Sequence, residues 1–221
     1  MNVHSPEDLQ RIYEARFRAS ADYRRAVWCV LIDDYFQRFV GPNDAVLDLG
    51  CGYGEFINQI HCGRRYAMDL NPDAPKRVQA GVKCLLQDCS QTWALPDNSL
   101  DAVFTSNFFE HLPDKAALGR TLDEVRRCLK PGGRLIAMGP NIKYLPGAYW
   151  DFWDHYLPLT ELSLREALEN RQFAIEHCIP KFLPYTMASG PRYPLGLLRI
   201  YLRMPLAWAM FGRQFLVIAR C

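Results

Sequence analysis

The chain has 221 residues, of which 49% are hydrophobic and 23% charged, a composition that allows one well-packed globular core. Its 26 lysines and arginines nearly balance 24 aspartates and glutamates, and the formal net charge of +2 weighs against a nucleic-acid partner. The eight cysteines form no C-x-x-C pair, and residues 1–18 are too polar for a signal peptide. We therefore expect reduced thiols and a cytoplasmic location.

Two helices are predicted before the first strand. Residues 5–8, Ser-Pro-Glu-Asp, have the hydroxyl cap, the first-turn proline and the acidic residues of a helix start. A second helix is predicted over residues 23–39 from apolar residues at helical spacing. We interpret residues 1–42 as a helical cap that covers one edge of the sheet. The alternative is a lid, with these candidates for reaching a cofactor or substrate: Tyr13, Arg16 and Arg24.

A glycine-rich loop follows the first predicted strand, residues 45–49, and a helix pattern begins after it. Gly50, Gly52 and Gly54 permit a sharp turn and the close approach of a ligand, but their spacing differs from the G-x-G-x-x-G of dinucleotide sites. Asp48 would repel a pyrophosphate and attract a ligand that carries an ammonium and a sulfonium. The loop therefore predicts S-adenosylmethionine. The alternative is a tight turn in which Asp48 binds loop amides.

Strands and helices alternate through the rest of the core, which predicts a parallel, doubly wound α/β sheet. The second strand ends at Asp69, about 20 residues after the first, where an acidic side chain meets ribose hydroxyls in nucleotide sites. The third strand, residues 82–86, is followed by Asp88, which is placed to accept from an adenine amino group. The remaining core elements predicted are a helix starting at 71–73, a strand at 100–105, a helix at 114–130 and a strand at 133–138.

Six motifs follow one another in a fixed order along residues 45–140. They are Asp48-x-Gly50-x-Gly52-x-Gly54, Asp69, Asp88, residues 95–101, Glu110-His111-Leu112 and residues 124–133. In this order they resemble the class I S-adenosylmethionine-dependent methyltransferases, and within them the small-molecule group typified by ubiquinone and menaquinone biosynthesis methyltransferases. A single motif would be weak, whereas the series is specific.

The resemblance implies how the cofactor would be held. Asp48 and the glycine loop would bind the methionine end, and Asp69 would hold the ribose, with Leu70 packed on the adenine. The Asp88 side chain and the Cys89 amide would bind the adenine edge. Ser106 and the residue after it would form the floor beside the sulfonium methyl. The cofactor-binding residues implied are Asp48, Gly50, Cys51, Gly52, Asp69, Leu70, Asp88, Cys89 and Asn107.

The resemblance also implies a Rossmann-like sheet of seven strands, mostly parallel with an antiparallel last strand. The sixth strand fits residues 174–179 after a helix at 163–170, and the seventh fits residues 215–219. Residues 180–213 between them form an insertion longer than a hairpin requires. We expect a single methyltransferase domain over residues 1–221, in three parts: the helical cap at 1–42, the cofactor-binding core at 45–140 and an acceptor-side region at 141–221 that contains the insertion.

Two histidines are candidates for a catalytic base. Methyl transfer from a sulfonium depends mainly on positioning and requires no metal, but a hydroxyl acceptor must lose a proton. His111 follows the fourth strand, and His155 lies in an aromatic-rich stretch, residues 144–156, in which Asp154 could orient its ring. Packing is the alternative role for each. Asn107 stands where some quinone-pathway relatives add an acid that binds a divalent ion, so no metal is predicted.

The insertion and the aromatic stretch bear on the acceptor. Residues 192–211 are largely apolar, but two arginines and Pro205 argue against a membrane span, and a substrate lid, a dimer face and peripheral membrane contact are the interpretations. The predicted function is methylation of a small molecule, such as a saccharide or lipid-linked hydroxyl. Alternatives are an N- or C-methyltransferase of another metabolite, and an inactive methyltransferase-like binding protein. Residues 106–109 lack the two prolines of base-amino methyltransferases.

Overall fold

A computed structural model describes residues 21–185 and 192–221. Seven strands form one sheet in the order β3-β2-β1-β4-β5-β7-β6. β7 is antiparallel to both of its neighbours, and the other pairs are parallel, which confirms the predicted fold class. The strands are β1 (Ala45–Leu49), β2 (Arg64–Asp69), β3 (Val82–Leu86), β4 (Leu100–Ser106), β5 (Leu129–Pro140), β6 (Ala174–Ile179) and β7 (Gln214–Arg220).

Helices cover both faces of this sheet. Asp114 caps the longest core helix by accepting a hydrogen bond from the Ala117 amide, and Thr160 and Ser163 cap the helix before β6 reciprocally. The α-helices are α1 (Ala21–Asp34), α2 (Ala74–Arg77), α3 (Lys115–Cys128), α4 (Glu161–Glu169), α5 (Leu195–Leu202) and α6 (Pro205–Phe211), and the 3₁₀ helices are Phe36–Phe39, Phe109–His111 and Ala148–Asp151.

The core has an apolar layer on each side of the sheet. All five residues of β1 are buried, as expected for the central strand of a parallel sheet. Leu122 of α3 and Leu164 of α4 lie in one layer, while Val30 of α1 and Leu202 of α5 lie in the other. With both faces covered, the carboxyl ends of β1, β2 and β4 form the edge at which loops can build a site.

Three predicted helices are shorter or less regular in the structure. The predicted helix after the glycine loop is a run of turns over residues 55–59, where the short connection to β2 must bury both Phe56 and Ile57. The helix predicted after β2 is observed as the single turn α2. The helix predicted over residues 23–39 is observed as α1 followed by a separate 3₁₀ turn, Phe36–Phe39. The first predicted helix, which starts at residue 5, lies outside the described residues.

β5 begins at Leu129, earlier than the predicted strand. The Lys130 ammonium lies 2.7 Å from a carboxylate oxygen of Asp101 on β4, across a shift in the strand register. Asp101 also accepts a hydrogen bond of 2.8 Å from the Ala45 amide at the start of β1, so it joins three strands. All eight cysteines are free. Among the described helices, none combines the length and the apolar character that crossing a membrane demands.

Candidate active site

The glycine loop closes the carboxyl end of β1 with a left-handed backbone. Gly50, Gly52 and Gly54 have φ values of 70°, 52° and 72°, a region that residues with a Cβ adopt at a cost. A Cβ added to Gly50 would lie 2.2 Å from the Phe108 ring. The loop therefore needs glycine for its backbone and, at Gly50, also for its contact with the segment after β4.

Substitution of Gly50 tests this requirement. We expect Gly50→Ala to lower the free energy of unfolding by about 1–3 kcal/mol more than Gly132→Ala, because both sites have a left-handed backbone but only the first meets a ring. Gly132 has a φ of 80° and open space around an added Cβ, which makes it the matched control. Chemical denaturation measures both variants, and equal losses would contradict the contact.

Asp48 lies beneath the glycine loop. Its side chain is 3% exposed, and one carboxylate oxygen accepts a hydrogen bond of 3.3 Å from the Ile57 amide. The amide contact of the alternative interpretation is therefore present. Burial raises the pKa of this carboxyl well above its ordinary value, and the nearby Glu55 and Asp69 carboxylates raise it further. A cationic ligand beside Asp48 would relieve this cost, so the predicted ammonium contact stays a prediction that the burial favours.

Asp69 spans the mouth of the loop from the end of β2. One of its carboxylate oxygens accepts from the Gly52 amide at 2.8 Å, and the other accepts from the Asn71 amide at 2.9 Å. Burial raises its pKa, while these amides and the charge of His111 lower it. Each carboxylate oxygen can accept a second hydrogen bond, so the group can bind vicinal ribose hydroxyls while it holds the loop.

The predicted adenine-binding residues lie at the end of the next strand. Asp69 pairs with Leu86 in the sheet register, so Asp88 follows β3 on the same edge. One Asp88 carboxylate oxygen accepts from the amide and from the hydroxyl of Ser90, each at 2.8 Å. Cys89 is buried, which raises its thiol pKa to about 12 and makes it a packing residue that offers its backbone. Leu70, the residue after Asp69, is half-buried.

Asn107 supplies the clearest sign of a ligand. Its backbone has a φ of 49°, and its backbone amide donates a hydrogen bond of 3.0 Å to the Met138 carbonyl. Its side-chain oxygen is buried without a hydrogen-bond partner, and so is the hydroxyl of Thr105 on β4. Because buried polar atoms in proteins almost always have partners, an unpaired acceptor next to the glycine loop indicates a donor supplied from outside the chain. The glycine cradle, the carboxylates and Asn107 together fit an adenosyl sulfonium with an ammonium group.

The acceptor-side segment is anchored to the 3₁₀ helix after β4. Glu110 is 2% exposed and accepts a short hydrogen bond from the Tyr149 hydroxyl. Its backbone carbonyl accepts from the amides of Tyr156 and Leu157 at 2.8 and 3.0 Å. Burial raises the pKa of Glu110, opposed by the charge of His111 and the Tyr149 hydroxyl, and burial also raises the pKa of Tyr149. This pair fixes residues 149–157 over the end of the sheet.

His111 is oriented by Asp154. Its Nδ1 lies 2.8 Å from the Asp154 backbone carbonyl and 3.3 Å from the Asp154 carboxylate. A carbonyl oxygen only accepts, so Nδ1 carries the proton and the neutral ring has its lone pair on Nε2. Burial lowers the pKa of His111, but the Asp154 carboxylate and the charge of Glu110 outweigh it, and the net pKa is raised above the ordinary value of 6.5.

His155 lies beside His111. The two ring centroids are 4.9 Å apart, and the Nδ1 of His155 lies 2.7 Å from the Tyr149 carbonyl. The structure thus brings together both histidines that the sequence singled out. It also adds Glu110 and Tyr149 to them, and it places Asp154 against His111, whereas the sequence suggested Asp154 as the partner of His155.

One group of side chains in the described part of the chain has the composition of a metal site. His111, Asp154 and His155 each offer a ligand atom, and these atoms lie within 4.8 Å of one another. Both histidines use Nδ1 as a donor to a carbonyl, and the Asp154 carboxylate lies against the first of these donors. We interpret the cluster as one that holds and moves protons. The sequence prediction of no metal stays a prediction.

Helix α1 reaches the glycine loop. Arg24 forms an ion pair of 2.7 Å with Glu55, and its guanidinium lies 5.7 Å from the centre of the Tyr53 ring. Burial raises the pKa of Glu55, and Arg24 opposes this shift. The cap therefore contacts the predicted cofactor loop, and the reach of Arg24 to a cofactor or substrate stays a prediction. The other two lid candidates, Tyr13 and Arg16, lie outside the described residues.

Comparison with known proteins agrees with this geometry. Residues 47–137 match the protein family described as "Methyltransferase domain". The chain has the fold of solved S-adenosylmethionine-dependent methyltransferases. A crystal structure of a SAM-dependent methyltransferase from Archaeoglobus fulgidus has a TM-score of 0.64 at 22% identity, covering 91% of this chain and 97% of the other.

Two relatives are similar to this chain in sequence over most of its length. An uncharacterised protein of a Streptomyces fradiae transposon is 30% identical over 204 residues, which cover 82% of this chain and 57% of that protein. The chain thus spans little more than half the length of that relative. A demethylmenaquinone methyltransferase from Symbiobacterium thermophilum is 27% identical over 84% of this chain and 79% of its own length. The matches support a methyltransferase domain within this fold, and the narrower likeness to quinone-pathway enzymes has only support of this low identity.

Proposed function

We propose that the protein transfers a methyl group from S-adenosylmethionine to a hydroxyl of a small molecule, with His111 as the general base. The observation that carries the proposal is the pairing of His111 with Asp154, which leaves the Nε2 lone pair for a substrate proton. The charge of His111 lowers the pKa of Asp69, so the base lies within electrostatic reach of the predicted ribose site. A neutral amine acceptor would need no such base before it attacks.

In this proposal some residues hold the cofactor and others transfer the proton. When bound, S-adenosylmethionine supplies a methyl carbon that is open to in-line displacement from its sulfur. Asp69 and Asn107 would fix the donor end, and the acceptor oxygen would lie between the methyl carbon and Nε2 of His111. As the oxygen attacks, its proton passes to Nε2, and the Asp154 carboxylate stabilises the resulting imidazolium.

For the acceptor we propose a saccharide hydroxyl, free or lipid-linked. Trp153 supports this proposal because its side chain is 79% exposed next to Asp154, the residue that orients the base, and a sugar ring could stack on it there. Phe152, which follows the 3₁₀ turn, is half-buried and lies 5.2 Å from the His155 ring. A C-methyltransferase of the hydroquinone kind is the second candidate, favoured by the demethylmenaquinone methyltransferase relative.

The test is methyl transfer from S-adenosylmethionine labelled in its methyl group to three acceptor panels: saccharides, hydroquinones and primary amines. We expect labelled methyl ethers from the first panel, identified by mass spectrometry, and a large loss of product with His111→Gln. Product on carbon or nitrogen, at a rate insensitive to this substitution, would contradict the proposed base. Binding of S-adenosylmethionine without transfer to any panel would favour the inactive binding protein.

A chelator tests the interpretation of the histidine cluster. We expect turnover of the protein purified in EDTA to be unchanged when Zn²⁺, Mg²⁺ or Mn²⁺ is added, because Asp154, the one acidic member of the cluster, lies 3.3 Å from Nδ1 of His111 and serves to orient that ring. Turnover that disappears with EDTA and returns with one of these ions would contradict it.

A further inference from the structure

The carboxyl-terminal fifth of the chain carries charge of one sign. After Glu176 the sequence contains six lysines and arginines and no aspartate or glutamate. The whole chain has a formal net charge of only +2, so this region is positive and the rest balances it. The insertion and its two helices, α5 and α6, lie within this region. Such local asymmetry predicts an anionic partner for this part of the surface.

These two helices, with the residues just before and between them, expose most of the large apolar side chains found at the described surface. Of ten large hydrophobic residues exposed there, seven fall within residues 193–211. Leu206 is 81% exposed and Met210 is 72% exposed. We call the outward face of α5 and α6 the apolar face, and it consists of Leu197, Ile200, Met204, Leu206, Met210 and Phe211. A cluster of this kind marks an interaction surface.

The opposite side of the helices is firmly attached, so the apolar face is a built surface. Leu202 is buried in the core, and the Tyr201 hydroxyl donates a hydrogen bond of 2.6 Å to the Phe182 carbonyl. Arg199 forms an ion pair of 2.7 Å with Asp34 of α1. The Lys181 ammonium donates to the Ala209 carbonyl of α6 at 2.9 Å. These contacts hold the helices in place and leave the exposed side chains pointing outward.

Basic side chains border the apolar face. The Arg203 side chain is 75% exposed beside Met204, with its guanidinium 3.4 Å from the Asp34 carboxylate, and Arg213 is exposed just after α6. The Lys181 ammonium lies 4.7 Å from the centre of the Tyr144 ring, which begins the aromatic acceptor stretch. The apolar face is therefore bordered by cations and adjoins the acceptor side of the molecule. Apolar side chains with arginine and lysine at their edge are the pattern of an element that lies in the interface of an anionic bilayer.

We propose that the apolar face binds the surface of an anionic membrane. A second copy of the chain fits less well, since a symmetric contact would set basic side chains against basic side chains with no acidic residue in the segment to pair with them. On a membrane, the apolar side chains enter the headgroup and acyl boundary, and the arginines meet lipid phosphates. This proposal does not depend on the acceptor that the enzyme methylates.

Flotation with vesicles tests the proposal on the full chain. We expect the protein to float with vesicles of phosphatidylcholine and phosphatidylglycerol and to stay behind with vesicles of phosphatidylcholine alone. Leu206→Ser combined with Met210→Ser should weaken binding by at least about tenfold, because two exposed apolar side chains no longer enter the bilayer. Arg203→Glu should weaken binding by about fivefold for each unit of charge changed, and added salt should do the same.

Two control substitutions outside the apolar face distinguish binding by this face from non-specific binding to vesicles. Leu162→Ser removes an apolar side chain that is 52% exposed on α4, and Arg120→Glu reverses an exposed charge on α3. We expect both controls to bind vesicles like the unaltered protein. Absence of flotation with the anionic vesicles would overturn the proposal, and so would equal loss of binding in the controls. Light scattering that shows a dimer abolished by the Leu206→Ser, Met210→Ser pair, without vesicle binding, would assign the face to a second copy instead.

Discussion

We expect His111→Gln to lower kcat by about 10²- to 10⁴-fold, the range that general-base catalysis contributes. Glutamine keeps an N–H donor for the Asp154 carbonyl, so the loss would come from the missing base and not from a broken contact. Affinity for S-adenosylhomocysteine, measured by calorimetry, should stay within about threefold, which is less than about 0.7 kcal/mol, because His111 is not among the residues predicted to bind the cofactor. His155→Ala should likewise spare cofactor binding and reduce turnover, but by less.

The pH profile distinguishes a base from a residue that only supports the fold. The base acts in its neutral form, so kcat/KM should rise with pH through the pKa of His111, which lies above 6.5 because Asp154 and Glu110 outweigh burial. Asp154→Asn removes a cause of that raised pKa, and the acidic limb should move to lower pH while the plateau falls. Asp151→Asn, at an exposed carboxylate of the same segment, is the control. A limb that does not move with Asp154→Asn would contradict the assignment.

The second large effect is expected at the ribose site. Asp69→Ala should weaken binding of S-adenosylmethionine by about 2–3 kcal/mol, because a carboxylate that accepts from hydroxyls contributes about that much. Calorimetry measures the change, and chemical denaturation checks that loss of the Gly52 and Asn71 hydrogen bonds leaves the protein folded. Asp73→Ala removes a nearby carboxylate that pairs with Lys76, and it should bind the cofactor normally. Unchanged affinity in Asp69→Ala would refute the placement of the ribose.

The strands could be predicted from the sequence because their signal is local. The runs at 82–86 and 174–179 have the observed bounds, although both are edge strands without a fully buried residue, since short runs with β-branched residues between turns predict a strand. The prediction of a helix after the glycine loop was wrong because tertiary packing determines the conformation of these residues. Phe56 stacks on Phe104 at 3.7 Å, and this packing replaces a regular helix by turns. Local periodicity does not reveal such a contact.

The candidate site divides in the same way. Asp48, Asp69 and Asp88 could be placed from their positions near the carboxyl ends of predicted strands, because parallel strands end on one edge. The pairing of His111 with Asp154 joins residues 43 positions apart, and that of Tyr149 with Glu110 joins residues 39 apart. The sequence signal was the repeated acid-histidine dipeptide, at 110–111 and 154–155, but only the packing of the two segments decides which acid orients which ring.

A crystal structure with S-adenosylhomocysteine tests the central claim most directly. The prediction is that the adenosine lies across the carboxyl ends of β2 and β3, with its ribose hydroxyls on the Asp69 carboxylate and its adenine edge at Asp88. The amino-acid end should lie over Gly50 and Gly52, with an N–H donor at the unpaired oxygen of Asn107. A purine and ribose bound anywhere other than between Asp69 and Asp88 would contradict the account.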